Sequence, residues 1–155
     1  MARGRMGVLA WAIALIVVSL LAANLWSHRQ DFVVHAAGRG DVGILKFLLG
    51  AGASASEPGT KGSFPLYAAA WWGRTEVVRV LLERGAPVNQ PNGEGQTPLM
   101  AAASRGNDDA VALLIEKGAN PSAIGSCGNA LDLARANHHE EAVAILEAAG
   151  SKSAR

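Results

Sequence analysis

Glycine returns every 33 residues in this chain, in three separate series. Gly40, Gly73 and Gly106 form the first, Gly52, Gly85 and Gly118 the second, and Gly62, Gly95 and Gly128 the third. Even with 18 glycines in the chain, three series at one period are hard to obtain by chance. The apolar residues keep step. Ile44-Leu45 with Leu48-Leu49 are followed by Val77-Val78 with Leu81-Leu82, and then by Ala110-Val111 with Leu113-Leu114. A period of this size marks an array of small units, none of which can bury its apolar side alone. At 155 residues there is room for one such array and an appendage, not for a TIM barrel or a multi-domain enzyme.

One unit shows how its residues work. Thr97 is placed to cap a helix, and Pro98 takes the first helical position, where a missing N–H costs nothing. Ala101, Ala102 and Ala103 are small enough for close helix packing, which fits an aromatic content of only 5%. Gly106 permits the left-handed turn that ends the helix. A second helix is expected from about Asp108 to Glu116, showing Leu113, Leu114 and Ile115 to the stack. Gly118 stops it, and Asn120-Pro121 prevent its continuation.

These residues resemble the ankyrin repeat. Gly95-Gln-Thr97-Pro98-Leu99-Met100-Ala101-Ala102-Ala103 follows the family pattern well, and Gly62-Ser-Phe64-Pro65-Leu66-Tyr67-Ala68-Ala69-Ala70 follows it with two changes. Glu76-Val77-Val78 to Val80-Leu81-Leu82 and Gly85-Ala86 match the second helix and its stop. The resemblance covers about residues 31–150 in four units, near 31–61, 62–94, 95–127 and 128–150. The last is one residue short, since Gly118 and Gly150 are 32 apart. It implies an all-α solenoid of stacked helix-turn-helix units. In such arrays the end units need polar outer faces. Asp132, Arg135, His138, His139, Glu140 and Glu141 supply one at the far end. Phe32-Val33-Val34 lack an equivalent, so His28-Arg29-Gln30 or a bilayer surface is expected to shield them.

Residues 1–30 are a different object. After a basic tail, 1–5, residues 6–26 read MGVLAWAIALIVVSLLAANLW without a charge. As a helix they would span about 31 Å, close to a hydrocarbon core of about 30 Å. The stretch has no polar face, so it does not suit a surface-lying helix. Arg3, Arg5 and Arg29 give residues 1–30 a charge of +3, whereas residues 31–155 sum to −2. The basic start predicts a cytoplasmic N-terminus and an exported remainder. Leu21-Ala22-Ala23 is the best cleavage site on offer, and Leu is large for its first place. The reading adopted is an uncleaved transmembrane signal-anchor with a linker at 27–30. Its alternative is a secreted ankyrin effector freed by signal-peptide cleavage. The Ala/Gly/Arg-rich usage fits a bacterial inner-membrane protein facing the periplasm. A polar tail, 151–155, closes the chain.

Little in the sequence carries catalytic chemistry. Gly50-Ala-Gly52-Ala-Ser-Ala55 meets a dinucleotide-binding pattern, but it follows a helix, where that motif must follow a strand. Thr60-Lys61-Gly62-Ser63 has the residues of a phosphate loop in the wrong order. His138 and His139 are adjacent and fall at an inter-helix turn, so they cannot chelate one ion together. His35 is expected to pack partly buried on the first helix. Cys127 has no partner for a disulfide and no His–Asp pair to make it a nucleophile. The chain is read as non-enzymatic, with no cofactor, metal or small-molecule substrate. Scattered charges summing to −2 give no footprint for nucleic acid.

The expected partner is a protein. In ankyrin proteins the concave surface comes from the two residues before the inter-helix glycine and from the hairpin tips. The resemblance therefore points to Gly38-Arg39, Trp71-Trp72, Ser104-Arg105 and Ala136-Asn137. At the tips it points to Thr60, Lys61 and Ser63, and to Gly93, Glu94 and Gln96. Adjacent tryptophans stand out in a chain so poor in aromatics, and Trp and Arg are the residues most enriched at interface hot spots. One tryptophan is expected to pack between units and the other to make contact. Phe64 in place of the capping Thr, and Tyr67 in place of the family's His, add aromatics near Trp71. The proposed binding set is Trp71, Trp72, Arg39, Ser104, Arg105, Lys61, Glu94 and Gln96.

Overall fold

A computed structural model describes residues 28–150. The spanning segment expected at 6–26 lies outside the described residues. Among the described residues no helix is long and apolar enough to cross a membrane. They form eight helices and no strand beyond one isolated bridge between Gly125 and Gly128. In chain order these are α1 (28–39), α2 (Val42–Gly50), α3 (Pro65–Trp71), α4 (Thr75–Glu83), α5 (Pro98–Arg105), α6 (Asp108–Glu116), α7 (Ala130–Ala136) and α8 (Glu140–Ala148). Each odd helix and the even helix after it make one unit. Units stack in two layers: α3 packs on α5 and α5 on α7, while α2 packs on α4, α4 on α6 and α6 on α8.

The local chemistry follows the sequence closely. Thr97 Oγ1 accepts from the Met100 N–H at 3.3 Å, and Pro98 begins α5. Asn129 caps α7 in the same way, with Asp132 returning the bond to the Asn129 N–H. Phe64 leaves α3 without a side-chain cap. The small residues sit deepest, with Ala69, Ala102 and Ala134 excluded from solvent at equivalent places in three units. Leu66, Leu99 and Leu131 fill the seam beside them, and Leu81, Leu114 and Leu146 do so on the second helices.

The inter-helix turn uses glycine for two reasons. Gly73 and Gly106 have φ of 64° and 65°, which L-residues avoid. A Cβ on Gly73 would also lie 2.7 Å from Asn107 Oδ1, and one on Gly106 would lie 2.5 Å from His139 Nδ1. Those side chains belong to the next unit and cross the turn to reach the helix before it. Asn107 Nδ2 donates to the carbonyls of Ala70 and Trp71 at 2.8 and 3.1 Å. His139 Nε2 lies 3.2 Å from Ser104 O, and Arg74 Nε donates to Gly38 O at 3.2 Å. Each first helix is thus finished by the following unit. In the last unit Asn137 donates to Leu133 O of its own helix instead. There the left-handed place is held by His138, at φ 60°.

Four expectations need correction. Gly128 immediately precedes the cap Asn129, as Gln96 precedes Thr97, so it sits one place later than Gly62 and Gly95 do. The missing residue of the fourth unit therefore falls in its tip, where Gly125 and Gly128 bond directly. His139 does not furnish the outer face of the last unit, because it turns inward to Ser104. His35 is exposed, not partly buried. The segment His28-Arg29-Gln30 does not shield the first unit. Gln30 is buried and donates to Ser54 O and Glu57 O at 2.7 and 2.6 Å, while Phe32, Ile44 and Phe47 stay exposed. The equivalent residues in the next two units, Pro65 and Pro98, Val77 and Ala110, Val80 and Leu113, are all buried. The difference is positional: those units have another described unit before them.

Candidate partner-binding face

The second and third units build an aromatic stack on their first helices. Tyr67 and Trp71 are one turn apart on α3, and their rings lie 6.3 Å apart at 16°. Tyr67 donates to Gln96 Oε1 at 2.8 Å on the next tip. Burial raises the Tyr67 hydroxyl above its ordinary pKa, Glu94 adds to this, and Arg105 opposes it. The Arg105 guanidinium lies 4.1 Å from the centre of the Trp71 ring and 5.8 Å from that of Trp72. Such a cation over an aromatic face is attracted by the ring quadrupole. Trp71 is half-buried against the core, whereas Trp72 is 56% exposed.

Trp72 also forms one wall of a cavity of about 720 Å³ between the first and second units. Opposite it, α1 contributes His35, Gly38 and Arg39. The tip adds Thr60 and Lys61, and the inter-helix turn adds Arg74. Gly38 keeps this space open, since a Cβ there would lie 3.2 Å from Trp72 Cδ1. Asp31 joins the tip to α1: its carboxylate accepts from the Thr60 N–H at 2.7 Å and from Thr60 Oγ1 at 2.8 and 3.0 Å. Those bonds hold its pKa below the ordinary aspartate value, with the neighbouring His28 helping and slight desolvation opposing.

Of the residues named from sequence, six fall into two groups and two, Glu94 and Ser104, stand apart. Arg39, Lys61 and Trp72 line one cavity, and Trp71, Arg105 and Gln96 form the stack beside it. Glu94 is exposed on the third tip, where Asn92 Oδ1 accepts from its N–H and from that of Gln96. Ser104 turns its hydroxyl back to Ala101 O at 3.0 Å, so that group is engaged within its own helix. His35 was named from sequence only as a packing residue, and Arg74 was not singled out. The signal for Arg74 was its place after Gly73, the place Asn107 holds after Gly106. His35 could have been found from Gly38 and Arg39, which lie one turn further along the same helix.

Among the described residues no cluster of His, Cys, Asp or Glu could hold a metal ion. A family model described as ankyrin repeats (3 copies) matches residues 12–92, and a second, ankyrin repeats (many copies), matches residues 81–134. No curated protein matches the chain. With matches spanning most of the helical array, and the first alone covering half of the chain, this protein belongs to the ankyrin repeat family.

Proposed function

We propose that the chain is a non-catalytic binding module that presents the face carrying Trp72 to a protein partner from the outer side of a membrane. Ankyrin repeats typically mediate protein–protein interaction, and their domains are generally non-catalytic. The observation that carries the reading is Trp72, a large apolar side chain left 56% exposed beside Arg39, Lys61 and Arg105. An exposed aromatic flanked by arginines is the composition of an interface hot spot. The membrane part rests on the charge-free run at 6–26 and on the apolar face of Phe32, Ile44 and Phe47, which belongs to the unit directly after it. Residues 6–26 serve as the anchor and the array faces the periplasm.

Trp72→Ala should cost about 2 kcal/mol of binding, roughly 30-fold in affinity, with helix content by circular dichroism unchanged. Quantitative mass spectrometry of proteins captured by the wild-type chain and by the variant checks this. Equal capture by both would overturn the reading. The mass of the chain purified from membranes checks the anchor: residues 1–26 should be retained, and a product lacking about the first 23 residues would mean a secreted form.

A further inference from the structure

The cavity between the first two units has a charge unlike that of the domain around it. Residues 31–155 sum to −2, yet Arg39, Lys61 and Arg74 all face one space of about 720 Å³. Among the described residues the one acid on its walls is Asp31, whose carboxylate accepts three bonds from Thr60 and lies 3.4 Å from His28 Nδ1. Arg74 donates to a neutral carbonyl, Gly38 O, and among the described residues Arg39, Lys61 and Arg74 form no ion pair. Three cations converge there against one carboxylate, which leaves the groove net positive beside the exposed ring of Trp72. The volume lies inside the roughly 300–1,000 Å³ range of ligand sites.

We propose that this groove takes an acidic segment of the protein partner, with carboxylates held by Arg39, Lys61 and Arg74 and an apolar side chain laid on Trp72. This rests on the protein-binding reading above and names the class of segment bound. Arginine offers a planar fork matched to a carboxylate, and Lys61 adds a mobile point charge on the tip. The acidic net charge of the domain disfavours a long polyanion such as nucleic acid, which would run past the groove onto acidic surface. A short segment meets a wall on which three cations outnumber one carboxylate. Gly38 sets the width, so a side chain there would press on Trp72 and narrow the groove without changing its charge.

The test uses the full chain in detergent micelles, panned against a random dodecapeptide phage library. Selected peptides should be enriched in Asp and Glu next to an apolar residue. Their synthetic forms should bind about tenfold or more weakly to an R39E/K61E variant, and several-fold more weakly when salt rises from 0.05 to 0.5 M, since exposed charges are screened. G38V should weaken binding without altering the salt dependence, and R84E, on the exposed end of α4, should change nothing. Neutral or basic selected peptides, peptides bound equally by R39E/K61E, no selection at all, or a short single-stranded oligonucleotide bound as tightly, would each overturn the proposal. If selected peptides are not acidic but still require Trp72, the acidic segment is wrong and the binding-module reading stands. If neither R39E/K61E nor Trp72→Ala alters their affinity, both fall.

Discussion

At the scale of single residues, the departures from the repeat are where energy can be recovered. Phe64 stands at a helix start with no side-chain cap, while Thr97 and Asn129 cap the equivalent helices. Phe64→Thr should stabilise the array by about 1 kcal/mol. His138 holds a left-handed turn that costs an L-residue about 1–2 kcal/mol. His138→Gly should therefore give back about 1 kcal/mol, whereas Gly106→Ala should destabilise by more, because His139 occupies the space. Urea unfolding followed by tryptophan fluorescence measures all three. Asp31 makes one region acid-sensitive. Its pKa is lowered in the folded chain, so its contribution is complete above the ordinary aspartate value and is lost as pH falls through the lower, folded one. Protection of the Thr60 amide against hydrogen exchange should fall in that acid window, and Asp31→Ala should remove it at all pH values.

At the scale of elements, helices were legible and their connections less so. The glycine period placed the turns, and Thr97-Pro98 and Asp108 to Glu116 gave two helices with the observed ends. The stack of Tyr67 on Trp71 follows from a spacing of four on one helix. Arg105 over Trp71 joins side chains from two units, and no local pattern states it. The shift of Gly128 escaped notice because a glycine happened to fall at the expected spacing while the deletion sat beside it in the tip. His35 was read as packed on its helix, but it lines the open groove toward the second unit and is exposed there. The bonds that finish each first helix from the next unit were equally hidden, because Arg74, Asn107 and His139 share a position and not a chemistry. Asn107→Ala should remove the bonds to Ala70 and Trp71 and cost about 1–2 kcal/mol. Asn107→His, which copies the fourth unit, should keep most of that stability in the same unfolding assay.

At the scale of the whole molecule, one sequence position has different weight along the array. Phe47 and Leu113 are equivalent, yet Phe47 is 73% exposed and Leu113 is buried. Leu113→Ala should cost about 2–4 kcal/mol through the cavity it leaves. Phe47→Ala should stay within about 0.5 kcal/mol of wild type, as surface substitutions do. Denaturant unfolding of the two variants side by side tests this, and equal losses would mean that something covers Phe47.

The side chains that reach back across each turn make the array directional in how it could grow or be cut. Removing the fourth unit would strip His139 from Ser104 and expose Leu99 and Ala102, so a shortened array would need Ser104-Arg105 rewritten as a self-closing end. Asn137 already makes that closure after α7. An added unit would therefore meet a sealed end behind α8, but in front of α1 it would find Phe32, Ile44 and Phe47 ready as a docking floor. Engineering a longer recognition groove from this scaffold would extend it from the first unit, bringing new contacts in beside Arg39 and leaving the far end untouched.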